Sequence, residues 1–273
     1  MTPHDKLSKL RIILSDTGAA AIALSGGTDS TFLVSVASGI SGLRVMAVTV
    51  STPYMFASEV EEAEAFCNRY GVMHRTIRMD IPETVKGNPP DRCYLCKTEV
   101  MGVVRGAAGE EGISVIFDGT NADDVSDYRP GMRALEELDI RSPLLEAGLT
   151  KNEIRALARE AGLEASDKPS NACLLTRFPH DTVILPGELR KAEEAEVFLT
   201  GMGFGGSRIR VHGDLVRIEC RTELFPKIME ADMREKIITA LKNIGYKYIT
   251  IDIEGYRSGS MNKNIQDNER RRT

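Results

Sequence analysis

The stretch Ala21-Ile22-Ala23-Leu24-Ser25-Gly26-Gly27-Thr28-Asp29-Ser30 runs from a short apolar segment through a Ser-Gly-Gly turn and into the helix-like Thr31-Phe32-Leu33-Val34. A strand–turn–helix junction of this kind makes an anion cradle. Small residues let backbone N–H groups close on a phosphate, and the helix dipole adds roughly half a positive charge at the same place. The loop is not a Walker loop, because no Gly-Lys-Ser/Thr follows to reach terminal phosphates. The plain structural alternative is an ordinary Ser/Gly turn opening a helix.

On either side of the junction the pattern is regular. Residues 3–16 read as an amphipathic helix with Leu7, Leu10, Ile13 and Leu14 on one face. Apolar runs follow at 43–50, 72–77 and 113–117, with helical patterns at 59–70 and 97–108 between them. Apolar strands alternating with helices predict βαβ units, so the expected class is α/β with a doubly wound parallel sheet. In such sheets ligands sit beyond the carboxyl ends of the strands. The turn after the first strand and Asp118-Gly119-Thr120-Asn121 after the fourth should share that edge. Thr150-Lys151-Asn152-Glu153 is a capping box that opens a helix to about residue 161. Lys168-Pro169-Ser170 breaks the pattern and sets a domain boundary, with a first domain of 1–168. A second, smaller α+β domain, 169–261, carries a helix at 188–200 and a hairpin of 208–212 with 216–219 around Gly213-Asp214. A helix at 231–243 and a strand at 246–253 complete it. The tail 262–273 is polar, ends in Arg270-Arg271-Arg272 and reads as disordered.

At 273 residues, 42% of them hydrophobic, the chain is long enough for a full core. A formal net charge of -5 argues against a purely electrostatic grip on nucleic acid. No apolar run is long enough to cross a bilayer and no signal-peptide core opens the chain, so the expected location is the cytoplasm. In that reducing compartment Cys67, Cys93, Cys96, Cys173 and Cys220 read as metal ligands, reactive thiols or buried fillers rather than disulfides.

Four constellations carry chemistry. Asp118-Gly119-Thr120-Asn121-Ala122-Asp123-Asp124 either holds Mg²⁺ or an activated intermediate at the sheet edge, or is an Asx-rich turn capping the next helix. Cys93 and Cys96, in Arg92-Cys93-Tyr94-Leu95-Cys96-Lys97, sit three residues apart at a helix start, where both sulfurs can face one metal. A redox pair and two buried fillers are the alternatives. Cys173 lies between Lys168 and Arg177, two cations able to lower its pKa toward the thiolate. A CxxC pair plus one distant cysteine can hold a cubane iron–sulfur cluster with one iron left open. Finally, strand alternation puts Arg208, Arg210 and His212 on one face, as a fork for phosphate or carboxylate, with Glu196 and Glu219 to balance charge or bind metal. A solvated sheet face is the alternative.

The pattern Ser-Gly-Gly-x-Asp-Ser resembles the pyrophosphate loop of ATP pyrophosphatases, which put AMP on a substrate and expel pyrophosphate. With the whole set in view, from Ser25 through Glu219, the chain resembles the LarE family of ATP-dependent sulfur transferases. The specific elements are the loop, Asp118 to Asp124 with Tyr128-Arg129-Pro130-Gly131, Lys168-Pro169-Ser170 running into Ala172-Cys173-Leu174, and Arg208-Ile209-Arg210-Val211-His212. The resemblance implies ATP and Mg²⁺ at Ser25, Gly26, Gly27, Asp29 and Ser30, with Asp29 the metal ligand, beside Asp118, Gly119 and Thr120. It implies a carboxylated pyridinium mononucleotide held by Arg177, Arg208 and Arg210, with Glu196 and Glu219 placing metal or substrate. The thiocarboxylate product is a precursor of the nickel-pincer nucleotide cofactor. Single-cysteine members give up the sulfur of the cysteine matching Cys173. The added pair Cys93 and Cys96 looks like the three-cysteine members, which implies a [4Fe–4S] cluster on Cys93, Cys96 and Cys173. A sulfur donor and a homo-oligomeric assembly are implied too.

Three rivals share parts of this pattern. A tRNA thiolase would show an extended basic surface or an added RNA-binding module, against the acidic balance here. An amide-forming synthetase needs ammonia and no cysteine triad. A nucleotide-sensing regulator has no use for Cys173 beside cations.

Overall fold

The computed structural model describes residues 1–126, 130–168, 171–257 and 260–262. Tyr128 and Arg129, Pro169 and Ser170, and the tail from 263 onward, all singled out in the sequence, lie outside the described residues. The chain divides into two compact units. The first comprises Met1–Thr84 and Asp91–Asn171, and the second Val85–Pro90 and Ala172–Thr273.

In the first unit the order is α1 (Pro3–Ser15), β1 (Ala19–Ala23), α2 (Thr28–Ser38), β2 (Arg44–Ser51), α3 (Ala57–Tyr70) and β3 (Met73–Arg78). After α4 (Glu83–Lys86) come α5 (Arg92–Glu110), β4 (Ile116–Phe117), α6 (Pro130–Glu137), α7 (Pro143–Ala147) and α8 (Lys151–Glu160). Among the described residues the four strands form one parallel sheet in the order β3-β2-β1-β4. The sheet is covered on both faces. Ala20, Ile22 and Leu24 pack with α1, α2, α7 and α8, while Ala21 packs with Met46, Met101 and Val104 of β2 and α5. Alternate residues of β1 thus feed two cores, which is why its sequence is apolar without a break.

The expected α/β class with a doubly wound parallel sheet is what the chain adopts. The run 113–117 is strand only at Ile116–Phe117, because Ile113 is spent closing α5, its N–H donating to the Ala108 carbonyl at 2.9 Å. Arg141 continues the sheet edge instead, bridging to Phe117. The strand order places the switch between β1 and β4, so the loop after β1 and Asp118 after β4 flank the crevice where such sheets bind ligands.

The second unit holds α9 (Pro186–Gly201), β5 (Arg208–His212), β6 (Leu215–Glu219), α10 (Phe225–Met229), α11 (Ala231–Ile244) and β7 (Tyr248–Ile251). β5 and β6 form the expected hairpin, turning at Gly213 with φ +63°, and β7 adds parallel to β6. The strand anticipated at 246–253 is shorter because Tyr246 closes α11, its N–H donating to Leu241 at 3.1 Å.

Candidate active site

In the first unit the loop after β1 is built for close backbone approach. Gly26 has φ +72°, and a Cβ there would stand 2.4 Å from the Glu59 carbonyl oxygen on α3. Only glycine fits. Gly27 is the N-cap of α2 and makes no side-chain cap bond to the first turn, where backbone N–H groups are the donors that suit an anion. Ser25 and Ser30 lock the turn: their hydroxyls lie 3.1 Å apart, and the Ser25 N–H donates to Ser30 Oγ at 3.2 Å. Gly119 presses on the helix start from the β4 side, where a Cβ would meet Ser30 N at 3.0 Å.

Two acidic residues at the crevice have different duties. Asp29 takes Lys151 Nζ at 2.7 Å and Asn121 Nδ2 at 3.3 Å on Oδ2, while its buried Oδ1 has no partner among the described residues. A buried carboxylate oxygen without a donor is costly unless a cation meets it, so Asp29 suits a Mg²⁺ ligand. Asp118 is fully occupied. Its Oδ2 accepts from Lys97 Nζ at 2.9 Å and Thr120 Oγ1 at 2.6 Å, and its Oδ1 from Ser142 Oγ at 2.6 Å. Burial pushes this carboxyl up, but Lys97 and these hydroxyl bonds outweigh it and hold the group below its ordinary value. Asp118 is an anchor for Lys97 and the loop around Thr120.

Cys93 and Cys96 lie on the first turn of α5; Cys93 is exposed, and Cys96 Sγ sits 3.2 Å from the Tyr54 hydroxyl. A tetrahedral thiolate site needs four ligands, of which this pair could supply two. No group of three His, Cys, Asp or Glu side chains able to hold a metal ion occurs among the described residues. Lys168, read in the sequence as a cation for Cys173, donates to the Gly26 carbonyl at 3.0 Å and pairs with Glu62.

In the second unit the sheet face read as a fork for phosphate or carboxylate, with a solvated face as the alternative, is a buried ionic layer. Arg208 and Arg210 on β5 are both buried, and only His212 at the strand end is exposed. Glu196 of α9 binds Arg177 through two bonds of 2.8 Å, accepts from the Ile209 N–H at 3.0 Å and lies 3.9 Å from Arg208. Glu219 of β6 takes Arg210 at 2.7 Å, Arg217 at 3.1 Å and the Ser260 hydroxyl at 2.9 Å. Burial pushes the Arg208 guanidinium below its ordinary value; Glu196 opposes that shift and the neighbouring Arg177 adds to it.

The layer also fixes Cys173. This residue is half-buried at the start of a 3₁₀ turn, Leu174–Arg177. Arg177, wholly buried, donates to the Ala172 carbonyl at 2.9 Å and the Cys173 carbonyl at 3.3 Å, and Arg210 donates to the Thr176 carbonyl at 2.9 Å. Asn121 falls within the Asp118–Asp124 segment read as part of the site, whereas Lys97, Ser142 and Lys151 carry no such reading; a lysine directly after a CxxC and another opening a capped helix are weak signals, and neither names its partner.

The family model described as asparagine synthase matches residues 14–165. An uncharacterized protein of Synechocystis is 34% identical over 262 residues, covering 95% of this chain and 98% of that one. Pyridinium-3,5-bisthiocarboxylic acid mononucleotide synthase of Lactiplantibacillus plantarum is 30% identical over 266 residues, 95% of each chain. A polypeptide of the glutamine-hydrolyzing GMP synthase of Archaeoglobus fulgidus is 26% identical over 158 residues, about half of either chain. The likeness to the GMP synthase thus covers 54% of this chain, whereas the likeness to the bisthiocarboxylic acid mononucleotide synthase covers 95%. The chain belongs to the asparagine synthase family over residues 14–165 and, across nearly all of its length, to the LarE family of PP-loop ATP-dependent sulfur transferases.

Proposed function

We propose that this enzyme adenylates a carboxylate of pyridinium-3,5-dicarboxylic acid mononucleotide, releases pyrophosphate and replaces a carboxylate oxygen with sulfur, on the route to the nickel-pincer nucleotide cofactor. The supporting observation is the glycine cradle, with one unpartnered Asp29 oxygen, in a chain alike over 95% of its length to a synthase of the corresponding bisthiocarboxylic acid. A carboxylate resists sulfur because its oxygen leaves poorly. Attack of that oxygen on the α-phosphorus expels pyrophosphate and turns the oxygen into part of a phosphate leaving group. Sulfur then adds to the acyl carbon and AMP departs with the oxygen.

Ser25, Gly26, Gly27 and Ser30 hold the pyrophosphate end, the glycines by letting the backbone approach it and the two serines by locking the turn. Asp29 Oδ1 is the ligand for Mg²⁺, which when bound neutralises charge on the leaving pyrophosphate. Asp118, Gly119 and Thr120 shape the adenylate side and keep Lys97 in place. Arg177, Arg208 and Arg210 are the side chains suited to the substrate's phosphate and second carboxylate, with Glu196 and Glu219 setting their positions. Arg177 serves mainly by fixing the Cys173 turn. Cys93, Cys96 and Cys173 would hold a [4Fe–4S] cluster, which supplies hydrosulfide when bound; a sacrificial Cys173 is the second route. The enzyme is read as a cytoplasmic homo-oligomer fed by a sulfur donor.

The test is anaerobic purification, iron and sulfide analysis, and incubation with MgATP and the dicarboxylate nucleotide. A brown protein yielding pyrophosphate and a product heavier by sulfur-for-oxygen supports the cluster route. A colourless protein that loses the mass of H₂S after one turnover selects Cys173 as donor. Product formation only with ammonia, as an amide, overturns the reading.

A further inference from the structure

The phosphate loop carries no lysine of its own, yet its phosphates need a cation that can leave its resting partner. Three lysines stand near it in the first unit. Lys151 is committed to Asp29 and Lys97 to the buried Asp118. Lys168 differs. Its ammonium rests on the Gly26 carbonyl, inside the cradle, at 3.0 Å, and its carboxylate partner is Glu62, whose side chain is 53% exposed. The Glu62 end is the exposed one and can swing into water, whereas the ammonium, 15% exposed, stays at the cradle, where it also attracts the Glu59 carboxylate. An ammonium has three N–H donors, and the Gly26 carbonyl and Glu62 use two of them. The stem is fixed as well: Arg155 of α8 donates to the Lys168 carbonyl at 2.8 Å, and Thr28 of the loop donates to the Ala165 carbonyl at 2.8 Å, so the segment bearing Lys168 is tied to α8 and to the cradle.

We propose that Lys168 is a nucleotide-binding residue, whose ammonium exchanges Glu62 for the terminal phosphate oxygens of ATP and for the pyrophosphate that departs. This rests on the reading of the loop as an ATP cradle. It gives the loop the mobile positive charge that a Walker lysine supplies elsewhere, from a segment five residues ahead of Cys173.

The test measures binding of inorganic pyrophosphate, MgATP and AMP to the full-length protein by calorimetry, with melting curves alongside. Lys168→Gln should weaken pyrophosphate and MgATP about tenfold or more while AMP stays within about twofold, because a charge-assisted phosphate bond is lost and the adenylate contacts are not. Lys168→Arg should retain pyrophosphate within about threefold, since the charge remains. Glu62→Gln should tighten pyrophosphate about twofold by removing the competing carboxylate. Arg155→Gln, which loosens the segment and keeps the ammonium, should leave the preference for pyrophosphate over AMP intact. The proposal is overturned if Lys168→Gln spares pyrophosphate, if it weakens AMP equally, or if Arg155→Gln reproduces its profile. Should Lys168→Gln not fold, unchanged or weaker pyrophosphate binding in Glu62→Gln overturns it instead. A wild-type protein that binds neither pyrophosphate nor MgATP defeats the cradle reading itself, and this proposal with it.

Discussion

Replacing Glu196 by alanine tests the buried ionic layer most severely. Glu196 is 4% exposed and Arg177 is 0% exposed, so the substitution leaves a guanidinium without its carboxylate in a site water does not reach. Two bonds of 2.8 Å to Arg177 disappear, and the Ile209 N–H loses its acceptor. Breaking a buried pair by removing one partner costs about 3–5 kcal/mol. At roughly 2–4 °C per kcal/mol for a chain of this size, the melting temperature should fall by about 10 °C. Hydrogen exchange on the full-length protein should show the loss at the Ile209 amide and its neighbours on β5. Glu196→Gln retains an acceptor and should protect that amide while still losing part of the stability. The double variant Arg177→Met with Glu196→Leu should recover at least half of the loss, because a well-packed apolar pair replaces a buried charge pair at little cost. It should nonetheless transfer sulfur poorly, since the Ala172 and Cys173 carbonyls lose their donor. A Glu196→Ala protein melting within about 1 °C of wild type would falsify the account of this layer.

Further outcomes follow from the first unit and from Cys173. Gly26→Ala drives a Cβ into the Glu59 carbonyl in a left-handed conformation costing about 1–2 kcal/mol on its own, so calorimetry should find MgATP binding weakened by more than about tenfold. Asp118 has a folded-state pKa below its unfolded value of about 4, so its stabilisation is complete above that pH and is lost as pH falls through the depressed value. The melting difference between wild type and Asp118→Asn should accordingly be flat above about pH 5 and shrink below it. Cys173→Ala should abolish thiolation while pyrophosphate release continues at least in part; equal loss of both in activity assays would assign Cys173 a structural role.

The parts legible in the sequence were those set by local rules. The apolar segment, the glycines and the helix start specify β1, the cradle and α2 within ten residues, and Thr150 with Glu153 forms both bonds of its capping box. The hairpin at Gly213 was equally local. What escaped depends on distant partners. Glu196 and Glu219 are legible as charge balance for Arg208 and Arg210, but not that the layer is buried or that Glu196, on a helix earlier in the chain, takes its two short bonds from Arg177. Lys97 and Lys151 look like ordinary surface lysines until the fold brings Asp118 and Asp29 to them, and Lys168, read as a cation for Cys173, is bonded instead to the Gly26 carbonyl. The shortness of β4 follows from a residue spent on closing α5, a competition that hydrophobicity alone does not reveal.

The central claim is that a carboxylate oxygen of the substrate leaves on AMP. The dicarboxylate nucleotide should be synthesised with heavy oxygen in its carboxylates and turned over with MgATP and the sulfur source. Mass spectrometry of the AMP then reports the step directly: one heavy oxygen in AMP for each thiocarboxylate formed is the expected result. Unlabelled AMP, or label recovered in inorganic phosphate beside ADP, would contradict carboxylate adenylation.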